Sequence, residues 1–222
     1  MWPRSPGELL DVQRRLAATE PLAWTPPSGA LAIAGCAVRF PRGVSGAGSA
    51  GDPAWAAAAV LRGRVLLAES AVAGQAGAPY APGLLALREG PALQGAVEAL
   101  GVVPDALLVD ATGRDHPRRA GLALHLGAVL DLPTVGVTHR PLVAEGAWPE
   151  DVRGAWSELV LDGERVGAWL RTRPGVRPVA VHAAWRTSVD VAVEVVLAAT
   201  GGHRTPEPLR GARRLARTAR SA

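Results

Sequence analysis

Apolar and polar positions follow two different periods along this chain, and the changes of period mark its elements. Leu9, Leu10, Val12 and Leu16 fall on one side of a 3.6-residue helix. It opens with Ser5-Pro6-Gly7-Glu8, a capping box with proline at the first helical position, which predicts a helix from about Pro6 to Ala18. Pro21 to Gly29 carries three prolines and reads as a connector. Ala30–Phe40 is a continuous apolar strand, followed by a Gly/Ser/Ala loop over Gly43–Asp52. Ala54–Leu61 and Val65–Ala71 flank Arg62-Gly63-Arg64 as a hairpin. A helix is predicted over Pro91–Leu100, ended by Gly101, and Asp105–Asp110 reads as a buried parallel strand. His116-Pro117-Arg118-Arg119 opens a predicted helix running from Arg118 to Leu130, and Thr134–Thr138 is a second short buried strand. Glu158–Leu161 and Arg165–Leu170 pair across an Asp162-Gly163 turn, and Val179–Ala183 is a further strand. Thr187 or Ser188 caps a helix over Val189–Ala199. A last helix begins at Thr205-Pro206-Glu207, with Leu209, Ala212, Leu215 and Ala216 inward.

Three antiparallel strands followed by strand, helix and strand give an α/β protein in the order of ribonuclease H-like mixed sheets flanked by helices. At 222 residues and 48% hydrophobic, the chain is long enough for one well-packed domain over 1–222, with a basic tail expected to fray from about 218. Cys36 is the single cysteine, so no internal disulfide forms, and no Cys/His cluster has zinc spacing. The first eleven residues lack the apolar core of a signal peptide. The longest apolar run, Ala54–Leu61, is too short to span a bilayer. A cytoplasmic protein with no membrane role is expected. Every basic residue is arginine, and a net charge of +4 with a pI near 10.7 favours a polyanionic partner, weakly.

The chemistry concentrates between Pro79 and Arg119. Asp110 closes a buried parallel strand, the end at which open α/β sheets gather ligand and catalytic groups. Glu89 follows a proline-bounded loop, Pro79-Tyr80-Ala81-Pro82-Gly83. Taken alone, Glu89 reads slightly better as a helix-terminus acid, and Asp110 as a cap or turn acid, than either does as a site residue.

PYAPGLLALREGP, LLVDATGRDHPRRAGLALHLG and LPTVGVTHRPL, with AAWRTSVDVA and TPEPLRGARRLAR more loosely, resemble the endonuclease V family of inosine-directed nucleases over nearly the whole chain. The resemblance implies a ribonuclease H-like fold and Mg²⁺- or Mn²⁺-dependent hydrolysis of DNA or RNA 3′ to a deaminated base, in DNA repair, by a monomer. It also implies a metal cluster of two aspartates, a glutamate and a histidine. Glu89 and Asp110 match two of these positions and would serve as catalytic and metal residues, whereas the others fall at Ala37 and Trp185. Hard cations prefer several oxygen ligands, so two carboxylates alone hold one weakly. Two functions follow: an endonuclease with an impaired metal site, or a catalytically inactive homologue that binds nucleic acid. Asp115 is a candidate to fill the space above Ala37.

The same resemblance assigns nucleic-acid contacts. Pro79, Tyr80 and Pro82 form a strand-separating wedge, against a plain surface turn. Gly83 and Leu85 surround a flipped base, and Gly113 permits close backbone approach while Ala111 narrows it. His116, Arg118 and Arg119 bind phosphate at a helix N-terminus or, alternatively, pack a helix start on the core. His139 stands where a lysine would lie near the scissile phosphate, with Arg140 able to return the charge, and Arg186 follows the vacated histidine position. The C-terminal arginines form either a DNA-facing or a merely solvated helix face.

Overall fold

The computed structural model describes residues 2–43 and 46–221; positions 44 and 45 of the predicted Gly43–Asp52 loop and the last residue of the tail lie outside the described residues. The elements run α1 (Pro6–Ala17), β1 (Ala32–Arg39), β2 (Pro53–Arg62), β3 (Val65–Gln75), α2 (Leu85–Glu98), β4 (Ala106–Val109), α3 (Leu122–Leu130), β5 (Thr134–Thr138), β6 (Trp156–Leu161), β7 (Glu164–Leu170), β8 (Val179–Ala183), α4 (Val189–Ala198) and α5 (Glu207–Ser221). They build one eight-stranded sheet in the order β3-β2-β1-β4-β5-β8-β7-β6. β1, β4 and β5 run parallel and the remaining pairs antiparallel, as expected of a ribonuclease H-like mixed sheet flanked by helices.

Alternation along the strands sorts the core into two layers. Ala34, Cys36 and Val38 of β1 with Leu107 and Val109 of β4 pack with α2 and α3 residues on one face; Ile33, Ala106 and Leu108 pack with α4 and Leu209 of α5 on the other. Small residues let α5 lie directly on that second face. A Cβ at Gly35 would stand 2.5 Å from the Leu209 nitrogen, and one at Gly211 3.2 Å from the Ala59 methyl. This close approach sets which α5 side chains reach the end of β4. The helix continues to Ser221, past the point of expected fraying, and Arg220 donates to the Phe40 carbonyl at 3.2 Å.

Two helix starts differ from the sequence expectation. α2 begins at Leu85 rather than Pro91, with Pro91 inside it. Interior proline costs about 3 kcal/mol, but the preceding turn buries Ala86 and Leu87, and the Gly77 N–H donates to the Arg88 carbonyl at 3.2 Å. Glu89 therefore sits in a helix, not after a loop. α3 begins at Leu122 rather than Arg118, because Arg119 takes a left-handed backbone (φ 55°) and Gly121 N–H closes the preceding loop onto the Gly113 carbonyl at 2.8 Å.

Candidate functional site

A cavity of about 230 Å³ opens beside the carboxyl end of β4. Tyr80, Pro82, Gly83, Leu85, Asp110 and His116 line it, together with Gln13, Thr138 and Arg140. Pro79 is exposed at its rim and Tyr80 is 53% exposed. The Pro79–Gly83 loop is held from beneath. Tyr80 N–H donates to the Ala47 carbonyl at 2.7 Å, and the buried Arg88 donates to the Ala78 carbonyl at 2.7 Å, pairs with Asp52 at 3.2 Å and stacks over Phe40. The Gly83 carbonyl accepts from Gln13 Nε2 (3.0 Å), Arg118 Nη2 (2.9 Å) and His116 Nε2 (3.2 Å). His116 Nδ1 accepts from the Arg118 N–H at 3.1 Å, so the proton resides on Nε2. Burial first and the Arg118 charge second lower the His116 pKa to about 4, keeping the ring neutral.

His116 and Arg118 thus brace the Pro79–Gly83 loop; without a helix start at 118, they form no helix N-terminal phosphate site. Arg119 points elsewhere, pairing with Asp162 at 3.2 Å and Glu164 at 3.3 Å in the β6–β7 hairpin. Gly113 is a packing glycine, since a Cβ there would lie 2.1 Å from the Ala183 carbonyl oxygen.

The register of β1 with β4, Cys36 opposite Val109, puts Ala37 level with Asp110 and on the same sheet face. Ala37 is 2% exposed and offers no oxygen ligand. Glu89 joins this neighbourhood: burial, then the charge of Asp110, raise its pKa to about 8 against the opposing pull of Arg88 and Arg39. Trp185 does not join it. Its N–H donates to Thr134 Oγ1 at 3.1 Å and its indole to Asp131 at 3.3 Å, at the amino end of β5 and the far end of α3. Thr134 aligns with Leu107, three residues before Asp110, so Trp185 lies toward the other end of the sheet. Arg186 goes with it, donating to the Leu22 carbonyl at 3.3 Å. Asp115 fills no vacancy above Ala37 either: fully buried, it accepts from the N–H groups of Leu142, Val143 and Ala144 at 2.7, 2.9 and 2.8 Å. Beside it His182 accepts or donates at Thr138 Oγ1 (2.8 Å). His182 Nδ1 stands 3.4 Å from Asp115, and complete burial lowers its pKa against the opposing pull of the Asp115 charge. This buried network fixes the 138–144 segment along one cavity wall.

What occupies Asp110 is an arginine that the sequence pattern places only on a generic basic face. Arg213 Nη2 lies 2.7 Å from Asp110 Oδ1, and Arg213 Nε donates to Oδ2 at 3.0 Å. The pair is bidentate and mostly shielded, with side-chain exposures of 15% and 33%. Helix phase carried the signal: Arg213 is four residues after the inward Leu209 and adjoins the inward Ala212. Arg39 and His139 complete the surroundings; Arg204 and Arg213 add to burial in lowering the His139 pKa. A hard divalent cation needs a cluster of oxygen donors. Here Ala37 supplies none, both Asp110 oxygens are taken by a guanidinium, and no group of three or more His, Cys, Asp and Glu among the described residues could hold a metal. Few free oxygen donors are thus left here for a divalent ion.

The family model for endonuclease V matches residues 28–214. An endonuclease V of Roseiflexus castenholzii is 42% identical over 220 residues, covering 97% of this chain and 93% of that protein. The crystal structure of endonuclease V from Streptomyces avermitilis superposes with a TM-score of 0.85 at 35% identity, over 98% of this chain and 94% of that one. A Ciona intestinalis endonuclease V, solved with a 24mer DNA containing an inosine followed by a ribo-adenosine, superposes with a TM-score of 0.80 at 20% identity over 96% of each chain.

Proposed function

The chain belongs to the endonuclease V family, and from that membership we propose that it binds inosine-containing nucleic acid in DNA repair without carrying out the metal-dependent hydrolysis that the family resemblance implies. The observation that carries this is the bidentate Arg213–Asp110 pair. Arg213 supplies a fixed positive charge where a cation would otherwise compensate Asp110, and a guanidinium cannot generate hydroxide as a metal does. Recognition keeps its parts. Tyr80 stands exposed on a braced, proline-bounded loop, ready to stack on a base, and the cavity behind it takes the displaced purine. Arg217 and Arg220, on the same flank of α5 as Arg213, offer phosphates a basic track together with Arg39. The inosine-bearing DNA held by the Ciona relative supports the choice of ligand. We further propose that it acts as a single domain and a monomer in the cytoplasm. Separately, no helix among the described residues is long and apolar enough to cross a membrane.

The test is incubation with labelled inosine-containing and matched control strands, of DNA and of RNA, with and without Mg²⁺ or Mn²⁺. The expected outcome is metal-independent, salt-sensitive retention of the inosine strand and no cleavage. Mg²⁺-dependent cutting 3′ to inosine at many turnovers would restore the nuclease, with Glu89 and Asp110 as its carboxylates. Failure to bind any strand would remove both functions.

A further inference from the structure

A second cavity, of about 510 Å³, lies on the other side of the 139–141 segment. Arg140 and Pro141 line both cavities, so the two share a wall. The second is otherwise built by His139, Trp148, Trp169, Arg177 and Arg204 with Pro178. Trp169 is 8% exposed and fixed by donation from its indole N–H to the Gly146 carbonyl at 3.1 Å. Trp148 stands edge-on against it, ring centroids 6.2 Å apart at 75°, and remains 54% exposed. A large aromatic ring on a rigid backing is a stacking platform whose apolar area is still in water. Arg204 is equally fixed, donating through Nε and Nη2 to the Arg177 and Pro178 carbonyls at 2.7 and 2.8 Å. The charges that act on it are those of Arg177 and Arg213, so cations gather here.

We infer that this cavity is a subsite for one unpaired nucleotide, its base stacked on Trp148 and its phosphate between Arg177 and Arg204. The occupant is identified by complementarity: an aromatic platform beside clustered cations matches a base beside a phosphate. Continuity across the shared wall identifies the strand as the one whose inosine enters the first cavity. The inference therefore rests on the nucleic-acid function proposed above. A single strand crossing Arg140 and Pro141 engages both cavities, and His139, neutral at pH 7, lets it pass without adding charge.

The experiment compares two inosine oligonucleotides, one cut short beside the inosine and one extended by several nucleotides on each side, binding wild type, Trp148→Ala, Trp148→Phe, Arg177→Gln and Tyr80→Ala. Stacking of one base predicts that Trp148→Ala weakens the extended strand about tenfold, that Trp148→Phe recovers most of the loss, and that the short strand is unaffected. Arg177→Gln should reduce the salt slope for the extended strand by about 0.7, the value for one phosphate on a single strand. 2-Aminopurine walked along the extended strand should be quenched at one position beyond the inosine, and Trp148→Ala should abolish that quenching. If Trp148→Ala leaves the extended strand unchanged while Tyr80→Ala weakens it, the subsite is refuted and the nucleic-acid function stands. Equal losses for the short and extended strands also refute the subsite. If wild type binds neither strand, the proposed function fails first and the subsite with it.

Discussion

Replacing Arg213 tests whether its guanidinium holds the place of a cation. Arg213→Ala removes both contacts to Asp110 and leaves that carboxylate partly buried beside Glu89. Hydrogen bonds to charged groups contribute about 1.5–3 kcal/mol and exposed pairs below about 1, so for this partly shielded pair a loss of about 1–3 kcal/mol is expected. In a chain of this size each kcal/mol moves Tm by about 2–4 °C, so metal-free Arg213→Ala should melt roughly 2–12 °C below wild type. Adding Ala37→Asp places a carboxylate level with Asp110 at a position now 2% exposed. In metal-free buffer that costs further stability, since a buried charge needs compensation. About 10 mM Mg²⁺ should then restore part of it: at ten times the dissociation constant a ligand contributes about 1.4 kcal/mol, or roughly 3–6 °C. Wild type, with Arg213 in place, should not respond to Mg²⁺. Thermal denaturation with a Mg²⁺ titration reads all three proteins. If wild type rises with Mg²⁺ as far as the double variant does, Arg213 does not displace a cation and the metal-free reading of the Asp110 site is refuted.

Tyr80→Ala should weaken binding of an inosine strand about tenfold, measured by fluorescence anisotropy, and leave Tm within about 1 °C because the ring is largely in solvent. Gly35→Ala should lower Tm by several degrees, because the added methyl meets the backbone of α5 at 2.5 Å, and should loosen the Arg213–Asp110 pair with it; an unchanged Tm would refute the close packing. Stability should also fall on acidification. His116 and His125 are buried with pKa values near 4, and His182 is lowered by complete burial, so below about 6.5 the unfolded chain takes up protons that the folded one refuses. Each such histidine contributes up to about 1.4 kcal/mol per pH unit between 6.5 and 4. Glu89 works the other way: raised from 4.5 to about 8, its contribution is complete below 4.5 and lost as pH rises through 8. Three histidines against one carboxyl leave a net loss of a few kcal/mol between pH 7 and 5, which urea unfolding should show; equal stability at the two pH values would mean these rings are already protonated or solvated.

Local chemistry wrote much of this protein directly into its sequence. The Ser5 and Ser188 caps, the Asp162-Gly163 turn and the apolar runs at Ala54–Leu61, Asp105–Asp110 and Thr134–Thr138 all act between near neighbours, and each produced the element it predicts. Asp110 was legible as a candidate for the same reason, since an acid ending a buried strand is a local signal, whereas the Pro79–Gly83 loop stood out only through the family resemblance. Helix starts were less legible. Pro91 reads as a first residue, but burial of Ala86 and Leu87 extends α2 back past it, and the left-handed Arg119 delays α3. What closes the site depends on contacts between residues far apart in the chain. Arg213 reaches Asp110 across 103 positions because Gly35 and the alanines of β2 let α5 settle onto the sheet. Trp185, close to the family pattern in sequence, is carried to the far end by its bonds to Thr134 and Asp131. Sequence spacing fixes which residues share a helix face or a strand edge; which face meets which edge is set by how closely two layers can pack, and that is decided only in three dimensions.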